Sequence, residues 1–207
     1  MNLQTITDRD FVDHSNPIRV LKLGGSLLRQ SGWPTQLEGW LAEQPGVAVN
    51  LLIVGGGEMI NAMRELSGVH PLDTAAMHWR CVRLLHATFQ IAAELLPSWR
   101  QIVTTGEFVQ HRGWGDVQGN FLLAVDAFYH PQGELRLPEN WDTTTDTIAA
   151  ALAQLTRATE LVLLKSCSVA KQQAWSELAS RGVVDRAFPT VAANVPRIRL
   201  IQLTTTG

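Results

Sequence analysis

The stretch GVAVNLLIVGGGEMI, residues 46–60, restricts the fold more than any other part of the chain. From Val47 to Val54 only Asn50 interrupts the apolar run. A strand with one wetted face alternates polar and apolar residues. A run this continuous belongs to a sheet covered on both faces, and such sheets are mostly parallel. Three glycines end the run. Met59, Ile60, Met63 and Leu66 then follow at helical spacing, and Gly68 is read as the stop of that helix.

The same alternation runs along the chain. IRVLKL (18–23), RQIVTT (100–105), ELVLLKS (160–166) and RIRLIQL (197–203) read as strands. Between them, WPTQLEGWLAEQ (33–44) reads as a helix with Pro34 in its first turn. A long helix starts at a cap on Asp73 or Thr74 and ends before Pro97. TTTDTIAAALAQL (143–155) and KQQAWSELASRG (171–182) complete the helices, the latter closed by Gly182. Residues 106–138 are rich in glycine and read as loops with a hairpin and a short strand; FLLAVDAF (121–128) fits strand or helix alike. Strands alternating with helices predict an α/β fold, a three-layer α/β/α sandwich around a mainly parallel sheet. At 207 residues one domain is expected, spanning 17–207, preceded by a loose arm over 1–16.

Composition removes several functional classes. The net charge of -2 and the pI near 6.3 give no field that would gather nucleic acid or an anionic membrane. No basic run could track a phosphate backbone, and no apolar run approaches the roughly 20 residues that span a bilayer. The polar N-terminus lacks the pattern of a secretory leader. Cys81 and Cys167 have apolar neighbours and no metal-ligand spacing, so both are expected to be buried reduced thiols of a cytoplasmic protein. The six histidines show no ligand spacing, so no metal held by the protein alone is expected.

Chemistry enters with Lys22. It lies at the carboxyl end of an apolar strand, where open parallel sheets place their ligands, and Gly24, Gly25 and Ser26 follow. Alone, this reads better as a lysine snorkelling beside a tight turn. The second unit, Gly55, Gly56 and Gly57 before a helix N-terminus, alters that balance: two backbone cradles can face one phosphate chain. Neither cradle matches a P-loop or a G-x-G-x-x-G turn. Lys165 ends another strand as Lys22 does, and Asp146 opens the helix between them in sequence. A carboxylate among phosphates is repulsive unless lysines intervene, so Asp146 is expected to hold the two lysines. This set suits phosphoryl transfer, which needs positioning and charge neutralisation more than covalent chemistry. His78 and His86 on the long helix could line an acceptor pocket, and His111 and Asp116 could face a substrate, but these and Trp141 read better as packing or solvated loop residues.

KLGGS, VGGGE, TTTDTIAAALA and LVLLKSCSV, in this order over about residues 18–169, resemble the amino acid kinase superfamily of acetylglutamate, aspartate, uridylate and isopentenyl phosphate kinases. The short chain, LPENWDTTTDTIAAALA and GVVDRAFP are most similar to the small aminomethylfuran phosphate kinase subgroup of methanofuran biosynthesis. The resemblance implies an ATP-dependent kinase with Mg2+ on the nucleotide phosphates. It implies a small-molecule phosphomonoester or carboxylate as acceptor, and a homodimer or higher homo-oligomer built on the long helix. Lys22, Asp146 and Lys165 would be catalytic, and Gly24, Gly25, Ser26, Gly55, Gly56 and Gly57 would bind phosphate and substrate. Many relatives carry V-D-G where this chain has Ser166, Cys167 and Ser168, and a later lysine where it has Asp185 and Arg186. Ser166, Asp185 and Arg186 are therefore the nucleotide-side candidates, in a C-terminal part shorter than in relatives. The alternative from another class is a non-catalytic nucleotide- or anion-binding protein that keeps the kinase fold.

Overall fold

The structure is a computed structural model and describes residues 17–44, 46–47, 49–111, 114, 117–167 and 173–203. The arm over 1–16, together with Asp116 and Ser168, lies outside the described residues.

Six strands form one sheet: β1 (Ile18–Leu23), β2 (Val49–Val54), β3 (Arg100–Ile102), β4 (Gly119–Leu123), β5 (Glu160–Lys165) and β6 (Ile198–Gln202). Their order across the sheet is β3-β4-β2-β1-β5-β6, and every neighbouring pair is parallel. All six residues of β1 are buried, as are five of six in β2 and in β5. Side chains alternate between faces, so burial at odd and even positions alike means both faces are covered, as the apolar run in β2 requires.

The helices are α1 (Trp33–Ala42), α2 (Glu58–Val69), α3 (Thr74–Leu95), α4 (Thr105–Gln110), α5 (Thr145–Leu155), α6 (Trp175–Ser180) and α7 (Phe188–Val191). Asp73 caps α3, its carboxylate accepting from the Ala76 amide at 2.7 Å. The strand expected over 100–105 stops at Ile102, because Thr104 is taken as a helix cap. Its hydroxyl accepts from the Glu107 amide while Glu107 accepts from the Thr104 amide, a capping box that starts α4. FLLAVDAF divides into the end of β4 and a 3-10 turn at Val125–Ala127. No hairpin occurs among the described residues of 106–138, because β4 pairs in parallel with β2 on one side and β3 on the other.

Helix α2 departs furthest from its sequence reading. Gly68 lies inside it rather than ending it, and none of its residues is buried. Leu66 is 50% exposed, while Met59, Ile60 and Met63 are half-buried. Cys81 is buried as expected, whereas Cys167 is exposed. Among the described residues, no helix is long and apolar enough to cross a membrane.

Candidate active site

Strand β1 lies between β2 and β5, and the chain leaves it toward β2 but enters β5 on the other side. This reversal opens a crevice at the carboxyl ends of the strands, the place where open α/β sheets bind ligands. A cleft of about 260 Å³ lies there, with Lys22, Lys165, Asp146, Gly25 and Gly55 to Gly57 among its lining.

Asp146 sits in the first turn of α5 and is buried. Its Oδ2 accepts a hydrogen bond from Lys165 Nζ at 2.6 Å, and its Oδ1 lies 2.8 Å from Lys22 Nζ. The second contact is an ion pair between buried groups. One carboxylate thus holds two ammonium groups, the arrangement expected of these three residues. Burial alone would raise the Asp146 carboxyl, but the two lysines outweigh it and hold the group below the usual carboxylate range. Burial, with repulsion from Lys22, lowers the Lys165 ammonium, and Asp146 opposes this only in part.

The glycines divide by function. The Gly24 amide donates to Leu164 O at 2.8 Å and the Gly55 amide to Leu23 O at 2.8 Å. Both amides are spent on strand extension and are not left for a phosphate, which corrects the reading of Gly24 and Gly55 as amide donors. The amides of Gly25, Gly56 and Gly57 have no acceptor among the described residues. The two loops also touch. A Cβ on Gly25 would lie 2.0 Å from the Gly57 nitrogen, and Gly57 has φ of 54°. Glycine is needed here for loop-to-loop approach as much as for ligand contact.

Ser26 is not part of the cleft lining; its hydroxyl meets the Ser166 hydroxyl at 2.8 Å, tying the end of β1 to the end of β5. Asp185 lines the cleft, but its carboxylate oxygens are engaged by the chain itself. Its Oδ2 accepts from the amides of Thr144 and Thr147, both at 2.9 Å, and its Oδ1 accepts from the Thr144 hydroxyl. It caps α5 from a distant loop, and its carboxyl is raised by burial and by the charge of Asp146. Arg186 points away, its side chain 83% exposed and 3.8 Å from Asp142. The later cation of the relatives therefore has no counterpart in the cleft from this segment.

Several cleft residues were not legible as such. Ile60, Asn61 and Arg64 of α2 line it. Their i, i+1, i+4 spacing places them on one helix face, a signal that only the position of the glycine loop makes meaningful. Trp141 is half-buried and lines the cleft rather than packing under the start of α5, with the Arg64 guanidinium 5.0 Å from its ring centre. His78 also lines the cleft, but both ring nitrogens are engaged: Nε2 lies 2.8 Å from the Tyr129 hydroxyl and Nδ1 3.4 Å from Asn140 O. Burial lowers its pKa, so it is a neutral packing residue. His86 pairs with Asp126 at 3.3 Å and His111 stacks on Trp114, both away from the cleft lining.

Two ammonium groups on the floor of a cleft, beside three amides without acceptors, fit a polyphosphate chain. Among the described residues no group of three His, Cys, Asp or Glu side chains comes together, so a Mg2+ ion here would be carried largely by phosphate oxygens.

No protein-family model matches the sequence, and no curated protein matches it. Among solved structures, the chain is similar to the UMP kinase of Ureaplasma parvum, with TM-score 0.57 and 14% identity over 92% of this chain and 91% of that one. The uridylate kinase of Archaeoglobus fulgidus gives TM-score 0.57 and 18% identity over 91% of each chain. The UMP kinase of Bacillus anthracis gives TM-score 0.57 and 11% identity over 91% of this chain and 88% of that one. The parallel six-stranded sheet with flanking helices is the α/β fold that these UMP kinases share.

Proposed function

We propose that the protein is an ATP-dependent small-molecule kinase that transfers the γ-phosphoryl group to a phosphomonoester or carboxylate. The observation that carries this reading is the single buried carboxylate, Asp146, holding Lys22 and Lys165 on the floor of one cleft. Lys22 binds the transferring phosphoryl group, and Lys165 neutralises charge on the donor's phosphate chain. Asp146 fixes both, and the amides of Gly25, Gly56 and Gly57 bind phosphate oxygens. An acceptor oxygen bonds to the γ-phosphorus as the bond to the β–γ bridging oxygen breaks, and ADP leaves. An anionic acceptor needs no general base, and none of the cleft residues is placed as one. Mg2+ carried on the nucleotide would supply further charge neutralisation. At an effective dielectric of about 20, an ammonium about 4 Å from an anionic oxygen contributes roughly 4 kcal/mol, near a thousandfold in rate.

A finer reading takes the acceptor as a compact phosphomonoester converted to a diphosphate, as in the aminomethylfuran phosphate kinases of methanofuran biosynthesis. Homo-oligomerisation in the cytoplasm belongs to the same reading. Ile91 and Leu95 of α3 are exposed in the single chain, and sedimentation of the purified protein tests the assembly.

ADP release is measured with Mg-ATP across a panel of phosphomonoesters, aminomethylfuran phosphate and UMP among them, and carboxylates. Acceptor-dependent turnover supports the proposal. Nucleotide binding without turnover on any acceptor would replace it with a non-catalytic nucleotide-binding role, a reading favoured by the outward position of Arg186.

A further inference from the structure

Asp185 is a half-buried carboxylate at the edge of the cleft that the phosphoryl-transfer scheme leaves unused, and it lies beside the residue on which that scheme turns. It belongs to the loop between α6 and α7, remote in sequence from α5. Its two oxygens take up the Thr144 amide, the Thr144 hydroxyl and the Thr147 amide. Thr144 is the N-cap residue of α5 but makes no cap bond with its own side chain. The first turn of α5 is thus capped by another segment. A second bond anchors that segment, the Ala187 amide donating to Asp142 O at 2.9 Å. On the other side of the turn, Thr145 Oγ1 lies 3.0 Å from where a Cβ on Gly55 would be. The turn carrying Asp146 is therefore held between the Gly55 loop and Asp185.

We propose that Asp185 is a positioning residue of the lysine–carboxylate site: it fixes the first turn of α5 and, through that turn, the point at which Asp146 meets Lys22 and Lys165. The inference rests on the kinase reading for its effect on turnover, but its geometric content does not. Asparagine at 185 can turn its oxygen to the two amides and its NH2 to the Thr144 hydroxyl, but the charge that strengthens these bonds is gone, so the cap loosens. Thr144→Val keeps every charge and loses only the hydroxyl donor.

Two measurements test this. The first is kinetic. In Asp185→Asn, kcat falls about tenfold or more while KM for ATP stays within about threefold, and Thr144→Val moves kcat the same way by less. Combined with Asp146→Asn, the Asp185→Asn effect is largely absorbed, because both act at one point. The second needs no turnover: the pH dependence of Lys165 acylation by acetic anhydride, read by mass spectrometry. Loss of its aligned carboxylate partner moves the Lys165 profile to lower pH in both single variants, and in Thr144→Val no charge has been removed to explain it.

An unmoved Lys165 profile in Thr144→Val and Asp185→Asn overturns the proposal, even if melting temperature drops, and leaves Asp185 a helix cap only. Additive kinetic effects with Asp146→Asn overturn it as well. Profiles shifted in the variants, when the wild-type protein shows no turnover, support the positioning role while defeating the kinase reading. Should Asp185→Asn fail to fold, Thr144→Val carries both measurements.

Discussion

Gly25 and Gly57 meet backbone to backbone, the first from the turn after β1 and the second from the turn before α2. A Cβ on Gly25 would sit 2.0 Å from the Gly57 nitrogen and 2.5 Å from its Cα. Neither neighbour is the movable end of a side chain, so one loop must shift. Gly25→Ala is therefore expected to cost about 3 kcal/mol or more and to abolish ligand binding. Gly39 in α1 has nothing within 4 Å of its Cβ position, and Gly39→Ala should stabilise by roughly 0.5–1 kcal/mol. Urea midpoints of the two variants give the comparison. Equal small effects would mean that the loops are not in contact.

The shared carboxylate leads to a second expectation. Asp146→Asn leaves two ammonium groups close together without their anion, so kcat should drop about a hundredfold or more. Lys22→Met removes the group assigned to the transferring phosphoryl and should reduce kcat about a thousandfold while circular dichroism stays native. Acceptor-dependent ADP release within about threefold of wild type in either variant would remove these residues from the mechanism.

The lowered pKa of Lys165 predicts an alkaline limit to activity. The group binds donor phosphate only when protonated, and burial with the Lys22 charge makes it lose its proton below the value of a free lysine, about 10.4. The alkaline limb of kcat/KM for ATP, which reports the free enzyme, should therefore lie below pH ~10.4. Lys165→Arg should move the limb upward, since a guanidinium stays charged. A limb unchanged by Lys165→Arg would assign it to another group.

These expectations draw on features of unequal visibility in the sequence. The central strands could be read because burial on both faces leaves a continuous apolar run, as in Leu51–Val54 and Leu161–Leu164. Lys22 and Lys165 could be placed because a lysine ending such a run is out of pattern, and Asp146 because only a carboxylate can hold two of them. Strand β4 was ambiguous because Phe121–Leu123 is short and its place between β3 and β2 is a long-range fact of the sheet. Helix α2 misled because apolar spacing predicts a face, not what covers it. The contact between Gly25 and Gly57 and the cap from Asp185 join segments far apart in sequence, so local pattern holds no trace of either.

The opposite end of the sheet carries a charge cluster around Glu160. Glu160, buried at the start of β5, accepts from Arg19 Nε at 2.6 Å and from Arg199 Nε at 2.7 Å, with Arg197 Nε at 3.2 Å. Trp40 lies beside two of these guanidinium groups, 5.8 Å from that of Arg19 and 5.2 Å from that of Arg199. Burial by itself would raise the Glu160 carboxyl, yet its hydrogen bonds and ion pairs with Arg19 and Arg199 hold it below the usual value. A depressed carboxyl contributes stability that is fully present above its unfolded pKa of about 4.3 and is lost as pH falls through the folded value. Glu160→Gln removes the buried anion that Arg19 and Arg199 share, so it should cost about 3 kcal/mol at pH 7. The cost should shrink as pH drops below ~4, because the unfolded carboxyl then takes up a proton and the wild-type protein loses the stability its charged Glu160 supplied. Urea unfolding at pH 7 and at pH 3.5 measures both values, and equal penalties at the two would show that the cluster is not held by the Glu160 charge. Because Glu160 lies at the end of the strands away from Lys22 and Lys165, kcat of the folded variant should stay within about twofold of wild type.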